Sequence, residues 1–251
     1  MGIPSFDVYT WKARILPMVT VFFPLTTTIA LLGLFPHPSN ITLWSQLGEL
    51  ALRFIAIPFV LLGIGMLFSQ IGRDKGSLKQ KELWERWGGA PTTQILRHRT
   101  IGNNKYELKR RHQKIRSKFP EIRIPFENDE QNDPDEADMA YQAAINAIIG
   151  LTRDKEKFHL VFEENVSYGY RRNLWGLKRW GVVSSIIGLV IAIVVGVVTW
   201  KNMSLFHLLF VLSIAINSGF LVMWFQVITP EWVRIPADAY ARRLMEAFDQ
   251  I

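Results

Sequence analysis

Basic side chains interleaved with aromatic ones are the residues of this 251-residue chain that are best suited to bind a ligand. The segment 87–99, WGGAPTTQILRHR, places a glycine turn before a short helix, which Thr92 or Thr93 is predicted to cap and which runs through Arg99. Free amides at a helix start, followed by arginines, suit a phosphate group. A basic helix predicted at 105–118 adds a second cluster of cations. The candidate ligand-binding residues of the two clusters are Arg97, His98, Arg99, Lys109, Arg110, Arg111, Lys114 and Arg116.

Aromatic rings on the basic helix extend this prediction from a phosphate to a nucleotide or oligonucleotide ligand. Tyr106, His112 and Phe119 can supply stacking surfaces for bases, and with Leu108 and Ile115 they form the apolar side of this helix. The formal net charge of +7 agrees with an anionic neighbour. The alternative is a turn, a helix cap and solvated faces that lie near anionic lipid and bind no ligand.

Motifs of enzymes and of metal sites are absent from the sequence. The five histidines are scattered, and there is no Walker loop, HExxH, GxSxG or dinucleotide fingerprint. Without cysteine, thiolate metal sites and redox sites are excluded. We therefore predict that the chain is not an enzyme, needs no cofactor and holds no metal.

An acidic segment, ENDEQNDPDEAD at 127–138, follows the basic helix. It lacks the glycine and the glutamate spacing of a calcium loop. We predict a solvated linker that ends in a helix cap at Asp133, with Pro134 in the first turn. An alternative is that the segment pairs with the basic helix and masks it. The helix after it is predicted to pack through Met139, Ala143, Ala147 and Leu151.

Four long apolar stretches must position these clusters. The segments 15–35, 50–68, 181–199 and 205–228 are each long enough to cross a bilayer as a helix. The fold class predicted from them is an all-α membrane protein, with two transmembrane hairpins flanking a mainly helical cytoplasmic domain. Its parts are an N-terminal cytoplasmic segment 1–14, hairpin 15–70, basic helical domain 71–179, hairpin 180–229 and C-terminal amphipathic helix 230–251.

Lysine and arginine residues near the ends of the spans predict the orientation. They cluster on the side of the central domain, whereas the linkers on the opposite side offer only Lys201. Because such residues mark the cytoplasmic side, the central domain and both termini are predicted to be cytoplasmic in a multi-pass protein of the bilayer.

Polar residues inside the spans suggest two readings. Ser213 and Asn217 are four residues apart and share a helix face, and Thr20 and Thr27 lie near one face of the first span. Ser213 and Asn217 either form hydrogen bonds across a helix bundle or line a pore. The two threonines either bond back to carbonyls of their own helix or line a water path. Since four helices of this low polarity cannot enclose a water path within one chain, conduction would require a homo-oligomer.

The segment 163–200 joins the basic domain to the third span. Within this span, Ser184, Gly188, Ala192 and Gly196 recur every four residues, a spacing that lets another helix approach closely. We expect movements of the cytoplasmic domain to reach this packed face, with two glycines as hinges whose stiffening changes gating more than folding. The predicted coupling residues are Arg171, Arg172, Trp175, Gly176 and Gly181.

Three features of the chain resemble four-helix transmembrane effectors of bacterial anti-phage systems, of the cyclic-oligonucleotide and Hailong types. They are the layout, the basic region 97–118 and the segment EENVSYGYRRNLWGLK. The resemblance implies an oligomeric ion channel of the bacterial inner membrane, controlled by a nucleotide or oligonucleotide that a partner protein synthesises. It implies antiviral defence through depolarisation and abortive infection. The alternative is a membrane-anchored scaffold that docks a protein partner, and a transporter ranks third because the broken-helix repeats of transporters are missing.

Overall fold

The computed structural model describes residues 7–32, 43–199 and 204–251. Within these ranges every regular element is a helix, and none is a strand. The helices are α1 (Leu16–Leu32), α2 (Leu43–Arg86), α3 (Pro91–Gln94), α4 (Lys105–Lys118), α5 (Glu127–Asn132), α6 (Pro134–Leu151), α7 (His159–Gly176), α8 (Lys178–Thr199), α9 (Ser204–Val222) and α10 (Pro230–Asp249). Two π-helical segments, Thr10–Ile15 and Met223–Val227, precede α1 and follow α9.

Four helical stretches are long and apolar enough to cross a membrane, which confirms the all-α class and the number of candidate spans. They are Thr10–Leu32, Ala51–Gln94, Lys178–Val198 and Leu208–Val227. The end of the predicted first span, residues 33–35, and Lys201 lie outside the described residues.

The helix that contains the second span is longer than the predicted span 50–68. It is one continuous helix, α2, which contains Pro58 and runs through Arg86. The C-terminal amphipathic helix starts at Pro230, because a proline at the first helical position loses no backbone hydrogen bond. Residues 159–162 form the start of α7.

The chain forms two compact units. The apolar unit comprises Met1–Lys79 and Gly169–Trp232, and its helices α1, α8 and α9 pack against each other. Gly188 lies against the Asn217 side chain and Gly196 against the Phe210 ring, both on α9. The predicted packing of small residues on α8 is therefore confirmed.

The polar unit comprises Gln80–Tyr168 and Val233–Ile251. Helices α4, α6 and α10 meet in its core, to which they contribute buried Ile115, Tyr141, Ile148, Leu244 and Phe248. The amphipathic helix α10 buries Ala241, Leu244, Met245 and Phe248 on one side. The prediction for α6 was wrong: its larger side chains Tyr141, Ile145 and Ile148 face the core, and Met139 is 65% exposed.

Candidate functional site

A cleft of about 720 Å³ in the polar unit is the candidate ligand site, and we call it the α4 cleft. One wall is helix α4, another is the loop that precedes it, and a third is the start of α5. The wall residues are His98, Arg99, Thr100, Ile101, Gly102, Asn103, Lys105, Leu108, Lys109, His112, Gln113, Arg116, Phe126, Glu127 and Asn128.

Helix α4 is fixed in place by its cap and by its apolar side. The Asn104 side chain accepts a hydrogen bond of 3.0 Å from the Tyr106 amide and one of 3.5 Å from the Glu107 amide. Leu108, His112 and Ile115 are buried as predicted, whereas Tyr106 is 87% exposed. With that side inward, Lys105, Lys109 and Arg116 follow one another along the cleft.

The loop before α4 is held by backbone and side-chain bonds. Asn103 Nδ2 donates to the carbonyls of Gln94 and Arg97, at 3.0 Å each. Gly102 has φ of 95°, a left-handed conformation that side chains other than glycine rarely adopt. The loop therefore keeps Ile101 at the rim of the cleft, fully exposed.

Beneath the loop, Glu130 collects four hydrogen bonds. This carboxylate is 1% exposed, and it accepts from the His98 amide at 2.7 Å, the Tyr141 hydroxyl at 2.7 Å, the Arg99 amide at 3.2 Å and the Arg99 guanidinium at 2.8 Å. Burial alone raises the pKa of Glu130, but these donors outweigh it and the pKa lies below its ordinary value. Glu130 is thus an anion that ties α5 to the loop.

Asp138 on α6 completes the ion-pair network of the first basic cluster. It accepts from Arg97 at 2.6 and 2.7 Å and from Arg99 at 2.8 Å. Burial lowers the pKa of Arg99. The hydrogen bonds to Glu130 and Asp138 raise this pKa by more than burial lowers it, so the pKa of Arg99 lies above its ordinary value. The positive charge of this cluster is matched by carboxylates inside the fold.

Two predictions about the flanking segments were wrong. Helix α3 ends at Gln94 and has Ala90 as its N-cap, with no side-chain cap; the amides of Thr93 and Gln94 bond to the Ala90 carbonyl. The acidic segment is not a solvated linker, because it forms α5 and contributes Glu130 and Asp138 to the pairing with Arg97 and Arg99. The predicted cap at Asp133 is confirmed by its 2.9 Å bond from the Glu136 amide.

Two histidines meet at the floor of the cleft. The rings of His98 and His112 lie edge to face, with their centroids 4.8 Å apart. The His112 ring is stacked on the Tyr141 ring, with a distance of 5.6 Å between centroids. Burial lowers the pKa of His112 to about 4, so its ring is neutral at pH 7. His112 Nε2 lies 2.8 Å from the Leu96 carbonyl oxygen, which requires the neutral ring to carry its hydrogen on that nitrogen.

The structure divides the predicted ligand-binding residues into two groups. His98, Arg99, Lys109 and Arg116 line the α4 cleft. The others do not line it and have partners inside the polar unit: Arg97 pairs with Asp138, Arg110 with Asp249, Arg111 with Glu107, and Lys114 with the Asp249 carbonyl. Lys105 lines the cleft and was missed, although its spacing of four residues from Lys109 was a usable signal.

The polar residues predicted to line a pore are buried or hydrogen-bonded within the apolar unit. Ser213 and Asn217 are fully buried in the apolar unit, and both donate to Thr28 Oγ1, at 3.0 and 2.6 Å. For Ser213 and Asn217 the structure therefore agrees with the alternative interpretation, in which they form hydrogen bonds across a helix bundle within one chain. Thr20 bonds back to the Leu16 carbonyl at 2.9 Å, and Thr27 is buried.

The predicted coupling residues are closely packed within the apolar unit. Arg171 donates to the Trp232 carbonyl at 2.8 Å, Arg172 donates to Asn173 Oδ1 at 3.2 Å, and Trp175 lies under Lys178. A Cβ atom at Gly176 would lie 2.7 Å from the Gly76 amide nitrogen. A Cβ atom at Gly181 would overlap the Trp224 indole. Both glycines are therefore sites of close approach.

Comparisons with protein-family models, with curated proteins and with solved structures gave no match to the chain.

Proposed function

We propose that the chain is an oligomeric transmembrane effector whose ion-conducting pore is controlled by a nucleotide or oligonucleotide bound in the α4 cleft. The observation that carries the proposal is the composition of this cleft. Lys105, Lys109 and Arg116 line it along one helix, and the apolar side chains of Ile101 and Phe126 lie at its other walls. Positive charge beside an aromatic surface suits a ligand with phosphate groups and bases.

Charge balance favours Lys105 and Lys109 as the groups available to a ligand. Both side chains are exposed, and Glu127 is the only acidic residue among those that line the cleft. Arg99, by contrast, already pairs with Glu130 and Asp138. A ligand phosphate that binds the two lysines displaces water from exposed ammonium groups and breaks no buried ion pair.

The apolar unit supplies the membrane part of the proposal. In this arrangement the polar unit and both termini face the cytoplasm of a bacterial cell, and the four apolar helices cross the inner membrane. Because Ser213 and Asn217 are held inside one chain, the conducting path would lie between copies and be lined by other residues. Depolarisation would be the output, and a nucleotide-synthesising partner protein would supply the ligand in antiviral defence.

The test combines binding with conduction. Purified full-length protein is reconstituted in liposomes loaded with potassium, and ion release is recorded with and without mononucleotides, cyclic dinucleotides and short DNA oligomers. Lys109→Glu should abolish both binding and the ligand-dependent change in flux. Lys118→Glu is the matched control, since this exposed lysine lies on the same helix outside the cleft. Protein that binds none of these ligands and never conducts would overturn the proposal.

A membrane-anchored scaffold is the second candidate, and exposed apolar side chains favour it. Ile101 is fully exposed and Tyr106 is 87% exposed on the polar unit. In this case Ile101→Ser and Tyr106→Ser would weaken a protein complex, while nucleotide binding would be absent in the parent protein.

A further inference from the structure

We infer that the α4 cleft contains two subsites, which select a ligand that carries a phosphate and an aromatic base together. Lys105 and Lys109 form the phosphate subsite, and Phe126, backed by Arg116, forms the base subsite. This inference rests on the proposed function, because it names the ligand class of the same cleft. It assigns the lysines and Phe126 to separate parts of the ligand and gives the ligand a fixed direction along α4.

The phosphate subsite follows from the first turns of α4. Lys105 and Lys109 are one helical turn apart on the side that lines the cleft, so their ammonium groups can approach one anionic group together. Lys105 is the first residue of the helix, where the macrodipole favours an anion. Since Asn104 already accepts from the Tyr106 and Glu107 amides, the lysine side chains rather than these amides would hold the phosphate.

The base subsite follows from how Arg116 is held. Its guanidinium carbon lies 4.2 Å from the centre of the Phe126 ring, and the same guanidinium donates to the Ile124 carbonyl at 3.1 Å. Arg116 therefore covers one face of the ring and is fixed there by the backbone. Phe126 remains 63% exposed, which leaves ring surface on which a base can stack.

The separation of the subsites sets the ligand's direction. Lys109 and Arg116 are seven residues apart, which corresponds to about 10 Å along a helix axis. A sugar and its linking bonds fit between a phosphate at the lysines and a base at Phe126. Neither free phosphate nor a nucleoside can occupy both ends, so each should bind more weakly than a nucleotide.

The experiment is calorimetric titration of the full-length protein in detergent with adenosine 5′-monophosphate, adenosine and inorganic phosphate as separate probes. The nucleotide should bind at least tenfold more tightly than either fragment. Lys105→Ala combined with Lys109→Ala should weaken nucleotide binding tenfold or more and leave adenosine affinity unchanged. Phe126→Leu should weaken adenosine and nucleotide alike, and Lys118→Ala should weaken neither. Melting curves of each variant verify that it is folded.

The outcomes separate the inference from the proposed function. Equal affinity for nucleotide and adenosine, or full nucleotide affinity in the double lysine variant, overturns the two subsites while ligand sensing stands. If none of the probes, and none of the oligomers used in the flux assay, binds the parent protein, sensing in this cleft is itself overturned. Nucleotide binding with the expected subsite pattern but no ion flux supports the inference and rejects the channel.

Discussion

The Asn217 amide donates a 2.6 Å hydrogen bond to the Thr28 hydroxyl, and both side chains are buried in the apolar unit. Thr28 in turn donates to the Pro24 carbonyl of its own helix at 2.9 Å. The amide therefore joins α9 to α1, and its oxygen lies against Gly188 of α8. Because three helices meet around one amide, changes at this point should act on helix packing.

Gly188→Ala should destabilise the apolar unit, because the added methyl group would occupy the place of Asn217 Oδ1. Overpacking of this kind costs about 1–3 kcal/mol. The measurement is thermal unfolding of the purified protein in detergent, where the variant should melt at a lower temperature. Gly219→Ala on α9 is the matched control, since nothing lies within 4 Å of an added Cβ there.

A second substitution tests whether the amide is the cause. Asn217→Ala removes the group that the methyl would meet, so adding Gly188→Ala to it should cost much less than in the parent protein. Equal losses in both backgrounds would contradict the contact between Gly188 and Asn217.

Glu130→Gln should destabilise the polar unit, because it removes the charge that faces Arg99 while keeping the size of the side chain. Breaking a buried ion pair on one side costs about 3–5 kcal/mol, and the exposed Arg99 guanidinium places the loss toward the lower end. Hydrogen exchange of the full-length protein should show faster exchange in α5 and the 98–103 loop. Glu246→Gln is the control, because its pair with Arg243 lies at the surface and should contribute less than about 1 kcal/mol. Unchanged exchange in Glu130→Gln would contradict the network.

Stability of the polar unit should fall as the pH falls from 6.5 toward 4. Burial lowers the pKa of His112 to about 4, so in this window the unfolded chain binds a proton that the folded chain does not. Charges of His98 and Arg116 act in the same direction, and Glu130 opposes them. The full loss in the free energy of unfolding that corresponds to this pKa shift is about 3 kcal/mol.

The measurement for this pH dependence is the melting temperature of the parent protein and of His112→Gln between pH 7.5 and 4.5. Glutamine can still donate to the Leu96 carbonyl but does not titrate, so the variant should lose much of the dependence. If both proteins show the same slope, His112 is not the group responsible.

Sequence periodicity predicted the helices and the packing face of α8 because both depend on local spacing. Ser184, Gly188, Ala192 and Gly196 could be recognised as a helix contact without knowing the partner. The partner, Asn217, is identified only by the tertiary arrangement. Lys105 and Lys109 lie on one helix and were within reach of the same reasoning.

The first basic cluster was misjudged because its partners are distant in sequence. Arg97 and Arg99 pair with Glu130 and Asp138, more than 30 residues away, and composition cannot show which acids fold back onto which cations. The same holds for Arg110, whose partner Asp249 lies at the end of α10. Charge density predicted a basic surface, but only the fold shows which cations are already paired.

Gly176→Ala and Gly181→Ala should lower the stability of the apolar unit as well as any gating. A Cβ at Gly176 would lie 2.7 Å from the Gly76 nitrogen and 2.8 Å from the Lys75 carbonyl carbon, and these backbone atoms cannot move aside as a side chain can. At Gly181 the obstacle is the fully buried Trp224 ring. Free hinges would instead tolerate alanine, which favours helix over glycine by about 1 kcal/mol. Melting temperature and ion flux should be measured together for each variant.

Gly150→Ala is the matched control for these two variants, because it lies in a helix with nothing within 4 Å of an added Cβ and should be neutral or stabilising. Combining Gly176→Ala with a substitution at Gly76 should not restore stability, since the close contact involves the backbone of both helices. If Gly176→Ala and Gly181→Ala melt like the control yet alter ion flux, they act as hinges and the close packing does not limit them. If they melt at lower temperature, the segment is a closely packed joint. Any motion then passes through the contacts of α7 with α2 and of α8 with the π-helical segment Met223–Val227, and not through bending at glycine.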